Sequence, residues 1–143
     1  MNSIDDVLRD LQCELVAERN RVNPKEISWL QYDILHLLSQ QKWQLPSEMS
    51  TTLGISRTKL SKALKVLKLM GYISQKPSGK DGRELLTLLT DDGHELLNGI
   101  EIGHNQLSAV ASKLFTEEEQ TQFAKLVNKL SNALRSDRMR VHE

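Results

Sequence analysis

Between Pro46 and Gly71 the chain is punctuated so tightly that few folds can hold it. A helix accepts proline in its first turn, where the missing N–H would have no partner anyway. Glycine ends helices because it enters the left-handed region without strain. Pro46 and Gly54 therefore bracket one short helix. Ser56 then offers a hydroxyl to cap a second, which runs from Arg57 to Met70 and stops at Gly71. Leu60, Ala63, Leu64, Leu67 and Met70 recur along it at three- and four-residue steps, the spacing of one helical face. A short helix, a turn containing glycine and a longer helix form a helix-turn-helix pattern. Tyr72–Lys76 follows as a short strand, Pro77–Gly82 as a turn cluster and Glu84–Leu89 as the return strand, so a hairpin wing is expected directly after the second helix.

The flanks read as helix. Ile4, Leu8, Leu11 and Leu15 stripe residues 4–21, and Val22-Asn23-Pro24 ends that run because the residue before proline disfavours the α region. Ser28 with Gln31 is a capping-box pattern opening a helix that carries Leu30, Ile34, Leu37 and Leu38. Thr90, followed by Asp91 and Asp92, opens another, since acids suit the positive end of a helix. Leu96, Leu97, Ile100, Leu107, Val110, Ala111 and Leu114 predict that it continues to residue 114, roughly 36 Å, with Gly99 and Gly103 as weak points. Thr116 with Glu119 caps a last helix, on which Phe123, Leu126, Val127, Leu130 and Leu134 are expected to face inward. The expected fold is mainly α, a winged helix-turn-helix with long N- and C-terminal helices.

Composition fits this. Of 143 residues, 38% are hydrophobic and 27% charged, which is ordinary for one soluble domain. Only 2 Trp, 2 Tyr and 2 Phe are present, consistent with a Leu-rich helical protein. No apolar run approaches the ~18 residues of a membrane span, and the start, Met-Asn-Ser-Ile-Asp-Asp, lacks the features of a secretory signal. A single cysteine, Cys13, cannot form an internal disulfide, so a reducing cytoplasm is expected. Charge carries more information. The 19 basic and 19 acidic residues cancel overall, yet residues 49–80 hold 7 bases and no acid, against 5 bases and 8 acids before them and 7 and 11 after. Such asymmetry is a footprint for a polyanion, the alternative being a solvated lysine-rich face.

The second helix sharpens this. With about 100° per residue, Thr58, Ser61, Lys62 and Lys65 lie opposite the apolar stripe, while Lys59 and Lys68 border it. Hydroxyls and lysines without a carboxylate suit a major groove about 12 Å wide. Ser56, Arg57 and Thr58 stand at the helix N-terminus, where backbone N–H groups favour a phosphate. Leu69 is the exception on the exposed side and is expected to turn back under the wing. In the wing, Asp81-Gly82-Arg83 precedes six residues and then Thr-x-x-Gly at residues 90–93. Asp81 can orient Arg83 toward a minor groove; the alternative is a surface ion pair worth ~0–1 kcal/mol. Lys76 and Lys80 add charge nearby.

From about Ser28 to Leu130 the sequence resembles the MarR family of bacterial transcription regulators. The resemblance rests on Leu53-Gly54-Ile55-Ser56-Arg57, on Gly71-Tyr72-Ile73, on Asp81-Gly82-Arg83 through Leu89-Thr90-Asp91-Asp92-Gly93, and on Leu114-Phe115-Thr116-Glu117-Glu118-Glu119. It implies a homodimer held by residues 1–27 and 91–143, with residues 28–90 as the DNA-binding unit. It also implies a double-stranded, pseudo-palindromic operator, repression, and release by a small aromatic or phenolic acid or by cysteine oxidation. Many members carry two arginines after the wing aspartate; here Gly82 takes one of those places, which weakens the wing's charge.

Other chemistry finds little footing. His36, His94, His104 and His142 form no metal-ligand pattern, and no phosphate loop or nucleophile motif occurs, so no enzyme activity, metal or cofactor is expected. Cys13 sits between Gln12 and Glu14, which would not stabilise a thiolate, so the pattern favours an inert thiol. Trp29, Tyr32 and His36 fall at i, i+3 and i+7, a row able to line an effector pocket or simply to pack. A winged helix that binds protein rather than DNA is the competing function.

Overall fold

The computed structural model describes residues 3–22, 27–78, 85–103 and 105–141. In chain order the elements are α1 (Ile4–Arg21), α2 (Trp29–Ser39), α3 (Pro46–Leu53), α4 (Arg57–Leu69), β1 (Ile73–Pro77), β2 (Leu85–Leu89), α5 (Asp91–Gly103), α6 (Gln106–Leu114) and α7 (Glu117–Val141). The core gathers Ile34, Leu35, Leu37 and Leu38 of α2, Met49 of α3, Leu60, Leu64 and Leu67 of α4, Ile73 of β1 and Leu97 of α5, with Ile27 beside them. It is a winged helix-turn-helix core, to which α5 adds one buried leucine.

The helix ends are set by the expected chemistry. Ser28 and Gln31 exchange side-chain-to-backbone bonds of 3.1 and 2.9 Å. Thr116 and Glu119 do the same at 3.1 and 3.0 Å. Ser56 Oγ accepts from the Lys59 N–H at 3.1 Å. Gly54 and Gly71 hold φ of 69° and 85°, the left-handed turns that close α3 and α4. Ser3, not singled out in the sequence, caps α1 by accepting from the Asp6 N–H.

The strands β1 and β2 pair antiparallel, with Ile73 opposite Leu89 and Pro77 opposite Leu85. Gln44 adds a bridge to Thr87, and its side chain donates to the Leu37 carbonyl at 2.6 Å, which pins the wing's base to α2. Thr90 and Gly93 join the wing to α5. Thr90 Oγ1 accepts from the Gly93 N–H and donates to the Gly71 carbonyl, at 3.0 and 2.7 Å. A Cβ on Gly93 would stand 2.1 Å from the Tyr72 carbonyl oxygen, so glycine is required for this close approach.

Three expectations are corrected. The helix read across residues 91–114 is two helices, α5 and α6, parted after Gly103; glycine costs a helix about 1 kcal/mol relative to alanine, and Asn105 opens α6 with no side-chain cap bond. Leu69 does not turn under the wing but is 79% exposed. Phe123, Leu126, Val127, Leu130 and Leu134 face solvent in the single chain, not an interior.

Candidate nucleic-acid interface

The buried side of α4 is Leu60, Leu64 and Leu67, packed to near-zero exposure. That seating turns Ser56, Arg57, Thr58, Lys59, Ser61, Lys62 and Lys65 outward, and all are exposed. Thr58, Ser61, Lys62 and Lys65 form one stripe at i, i+3, i+4 and i+7. No salt bridge among the described residues engages Lys59, Lys62, Lys65 or Lys68, so their ammonium groups are unneutralised. The Ser56 hydroxyl is committed as the cap acceptor. Lys76 is exposed on β1, opposite Leu86. Lys80, Asp81 and Arg83, the predicted wing-tip residues, lie outside the described residues, as do His104 and His142. Val66 and Leu69 of α4, and Met70 at its C-terminal end, are each more than two-fifths exposed.

The aromatic row on α2 is engaged at both ends. Trp29 and Tyr32 meet edge to face at 5.4 Å, and Tyr32 stacks on His36 at 6.0 Å. From α1, Arg19 lies 4.6 Å over the Trp29 ring and clasps Asp33 through two bonds of 3.0 and 2.7 Å. The Trp29 indole donates to the Arg19 carbonyl at 2.7 Å. From α5, Glu101 sits 3.3 Å from His36 Nδ1. Burial, reinforced by the carboxylates of Glu101 and Asp33, pushes the Tyr32 phenol above its ordinary range. The hydrogen bond to Asp33 outweighs partial burial and raises the Arg19 guanidinium. Cys13 is exposed on α1. Among the described residues there is no group of three or more potential metal ligands, and no helix long and apolar enough to cross a membrane.

The transcriptional repressor MprA of Escherichia coli (strain K12) is 32% identical over 128 residues, spanning 87% of this chain and 72% of that protein. The chain belongs to the MarR family. The family model, described as MarR family, matches residues 25–84, which hold α2, α3, α4 and β1. Solved structures agree in fold. The MarR protein from Peptoclostridium difficile superposes with a TM-score of 0.79 at 22% identity, covering 99% of this chain and 94% of that one. FabT of Streptococcus pneumoniae, solved in complex with DNA, gives 0.69 at 20% identity, covering 93% and 96%. This is therefore a MarR-family transcriptional regulator.

Family membership directs attention to what the sequence did not disclose. Arg19, Asp33 and Glu101 complete the cluster around the Trp29–Tyr32–His36 row, yet they come from three helices. Helical spacing predicts neighbours on one helix, not partners supplied by another. Only the tertiary arrangement brings them together.

Proposed function

We propose that this regulator is a homodimeric repressor that reads a pseudo-palindromic DNA operator through α4 and the wing. The observation that carries the reading is the exposed Thr58–Ser61–Lys62–Lys65 stripe, set on a segment with no carboxylate between residues 49 and 80. In this reading Thr58 and Ser61 meet base edges, while Ser56, Arg57, Lys59, Lys62 and Lys65 meet phosphates. Lys76, Lys80 and Arg83, the last steered by Asp81, serve the adjacent minor groove. A DNA complex of a protein with this fold and the repressor name of the curated relative support it.

Residues 28–90 form the DNA-binding unit, and residues 1–27 with 91–143 join two copies. Support for the dimer comes from surface. The chain exposes 10610 Å², whereas a compact monomer of this mass exposes about 7,500 Å². The excess includes Ile4, Val7, Leu11 and Leu15 on α1 and Phe123, Leu126, Leu130 and Leu134 on α7. We assign release from DNA to a small aromatic or phenolic acid acting where Trp29, Tyr32 and His36 couple α2 to α1 and α5. Tryptophan fluorescence and DNA affinity that both ignore a panel of such acids would remove that assignment.

Selection of bound duplexes from random DNA by the purified protein tests the main reading. An enriched inverted repeat is expected, with affinity that falls steeply as salt rises. The exposed Val66, Leu69 and Met70 favour a second reading, a winged helix that docks protein. Absence of any enriched sequence, with DNA binding insensitive to salt, would favour that reading instead.

A further inference from the structure

The last helix ends on the helix-turn-helix of its own chain. Arg138 of α7 donates from Nε to the Thr52 carbonyl at 3.1 Å, across 86 positions of sequence. The Thr52 hydroxyl in turn donates to Met139 Sδ at 3.7 Å. A Cβ on Gly54 would lie 3.7 Å from Arg138 Cδ, so the stem of this arginine passes directly over the turn between α3 and α4. Met139 lines one cleft with Ile55, Ser56 and Arg57, the residues that lead into α4.

The chemistry of a helix end explains why this matters. The final carbonyls of α3 have no partners within the helix. The Gly54 N–H reaches Thr51 O at 3.1 Å and the Ile55 N–H reaches Ser50 O at 3.0 Å, which satisfies two of them. The Thr52 carbonyl is the next in line, and it takes the guanidinium. A cation at the negative end of a helix dipole, bonded directly to a terminal carbonyl, is a charge-assisted cap. The turn that it clamps sets the angle between α3 and α4, and so the direction in which Ser56, Arg57 and Thr58 point.

We propose that Arg138 is a positioning residue for operator recognition: it fixes the α3–α4 turn, and through it the aim of α4, without touching DNA. The proposal rests on the reading that α4 recognises an operator. It also gives α7 a direct mechanical hold on the recognition helix.

The test uses the full-length protein with its selected operator and with unrelated duplex of equal length. Arg138→Ala should weaken operator binding about 10-fold, the effect of removing one charge-assisted hydrogen bond. Binding to unrelated DNA and its salt slope should stay unchanged, and the protein should stay dimeric by sedimentation. Arg138→Lys keeps a donor and should recover most of the operator affinity. Amide exchange at Ile55 should quicken in Arg138→Ala and less so in Arg138→Lys. Operator affinity equal to wild type in Arg138→Ala would overturn the proposal. So would equal weakening on both DNAs with a salt slope lowered by about 1, the mark of a phosphate contact. If Arg138→Ala does not fold, Arg138→Gln carries the same comparison on both DNAs. If wild type itself does not distinguish the two DNAs, the operator reading fails, and Ile55 exchange alone decides whether Arg138 clamps the turn.

Discussion

Gly93 shows how one atom can fix a junction. The Tyr72 carbonyl occupies the place of its missing Cβ, 2.1 Å from the ideal position. Gly93→Ala should cost about 1–3 kcal/mol, the range for overpacking a closed site, measured by denaturant unfolding. Gly99 has nothing within 4 Å, so Gly99→Ala should be neutral or stabilising by up to ~1 kcal/mol through helix propensity. Tyr32 offers a pH test with a definite sign. Because its folded pKa is raised, its contribution is complete below the unfolded value near 10 and is lost as pH rises through the folded value. Tyr32→Phe should therefore flatten the alkaline limb of the stability curve. At the wing, Asp81→Ala should weaken operator binding if Asp81 aims Arg83, although removal of an acid alone would tighten it. Tighter binding in a folded dimer would show that the pair does not aim the wing. The Thr-x-x-Gly pattern is legible in the sequence, but its reasons are not: the helix cap is local, whereas the Gly71 and Tyr72 carbonyls arrive from the start of the opposite strand, across the base of the hairpin.

At the scale of elements, the seating of α4 decides which side chains can meet DNA. Thr58→Ala or Ser61→Ala should change sequence preference, because both hydroxyls are exposed on the outward stripe. Lys62→Ala or Lys65→Ala should weaken binding to most sequences and lower the salt slope by about 1 for each phosphate left unneutralised. Equal weakening by all four variants on every duplex would mean that this stripe does not face the bases. Helix starts and stops were largely readable because caps are local chemistry: Ser28 with Gln31, Ser56, Thr116 with Glu119, and the left-handed Gly54 and Gly71. The break between α5 and α6 is not legible from periodicity because the apolar stripe continues through it in sequence. Periodicity rightly sets Leu69 on the exposed side, but it states which way a residue points, not what covers it, so the expected cover by the wing does not follow.

For the whole molecule, the single chain leaves long apolar stripes on α1, α6 and α7 in solvent. Association is the general remedy for such surface, and a twofold pair would set two copies of α4 in fixed relation. Sedimentation at micromolar concentration should give a dimer; a monomer would remove the basis for two-half-site recognition. These stripes were visible in the sequence, but periodicity alone could not say whether they pack within one chain or between two. Hydroxyl-radical footprinting of the protein on its selected operator tests the central claim most directly. Two α4 helices in successive major grooves predict two equivalent protected patches, related by twofold symmetry and about 10 base pairs apart on one face of the duplex. A single patch, or protection that lacks symmetry, would contradict it.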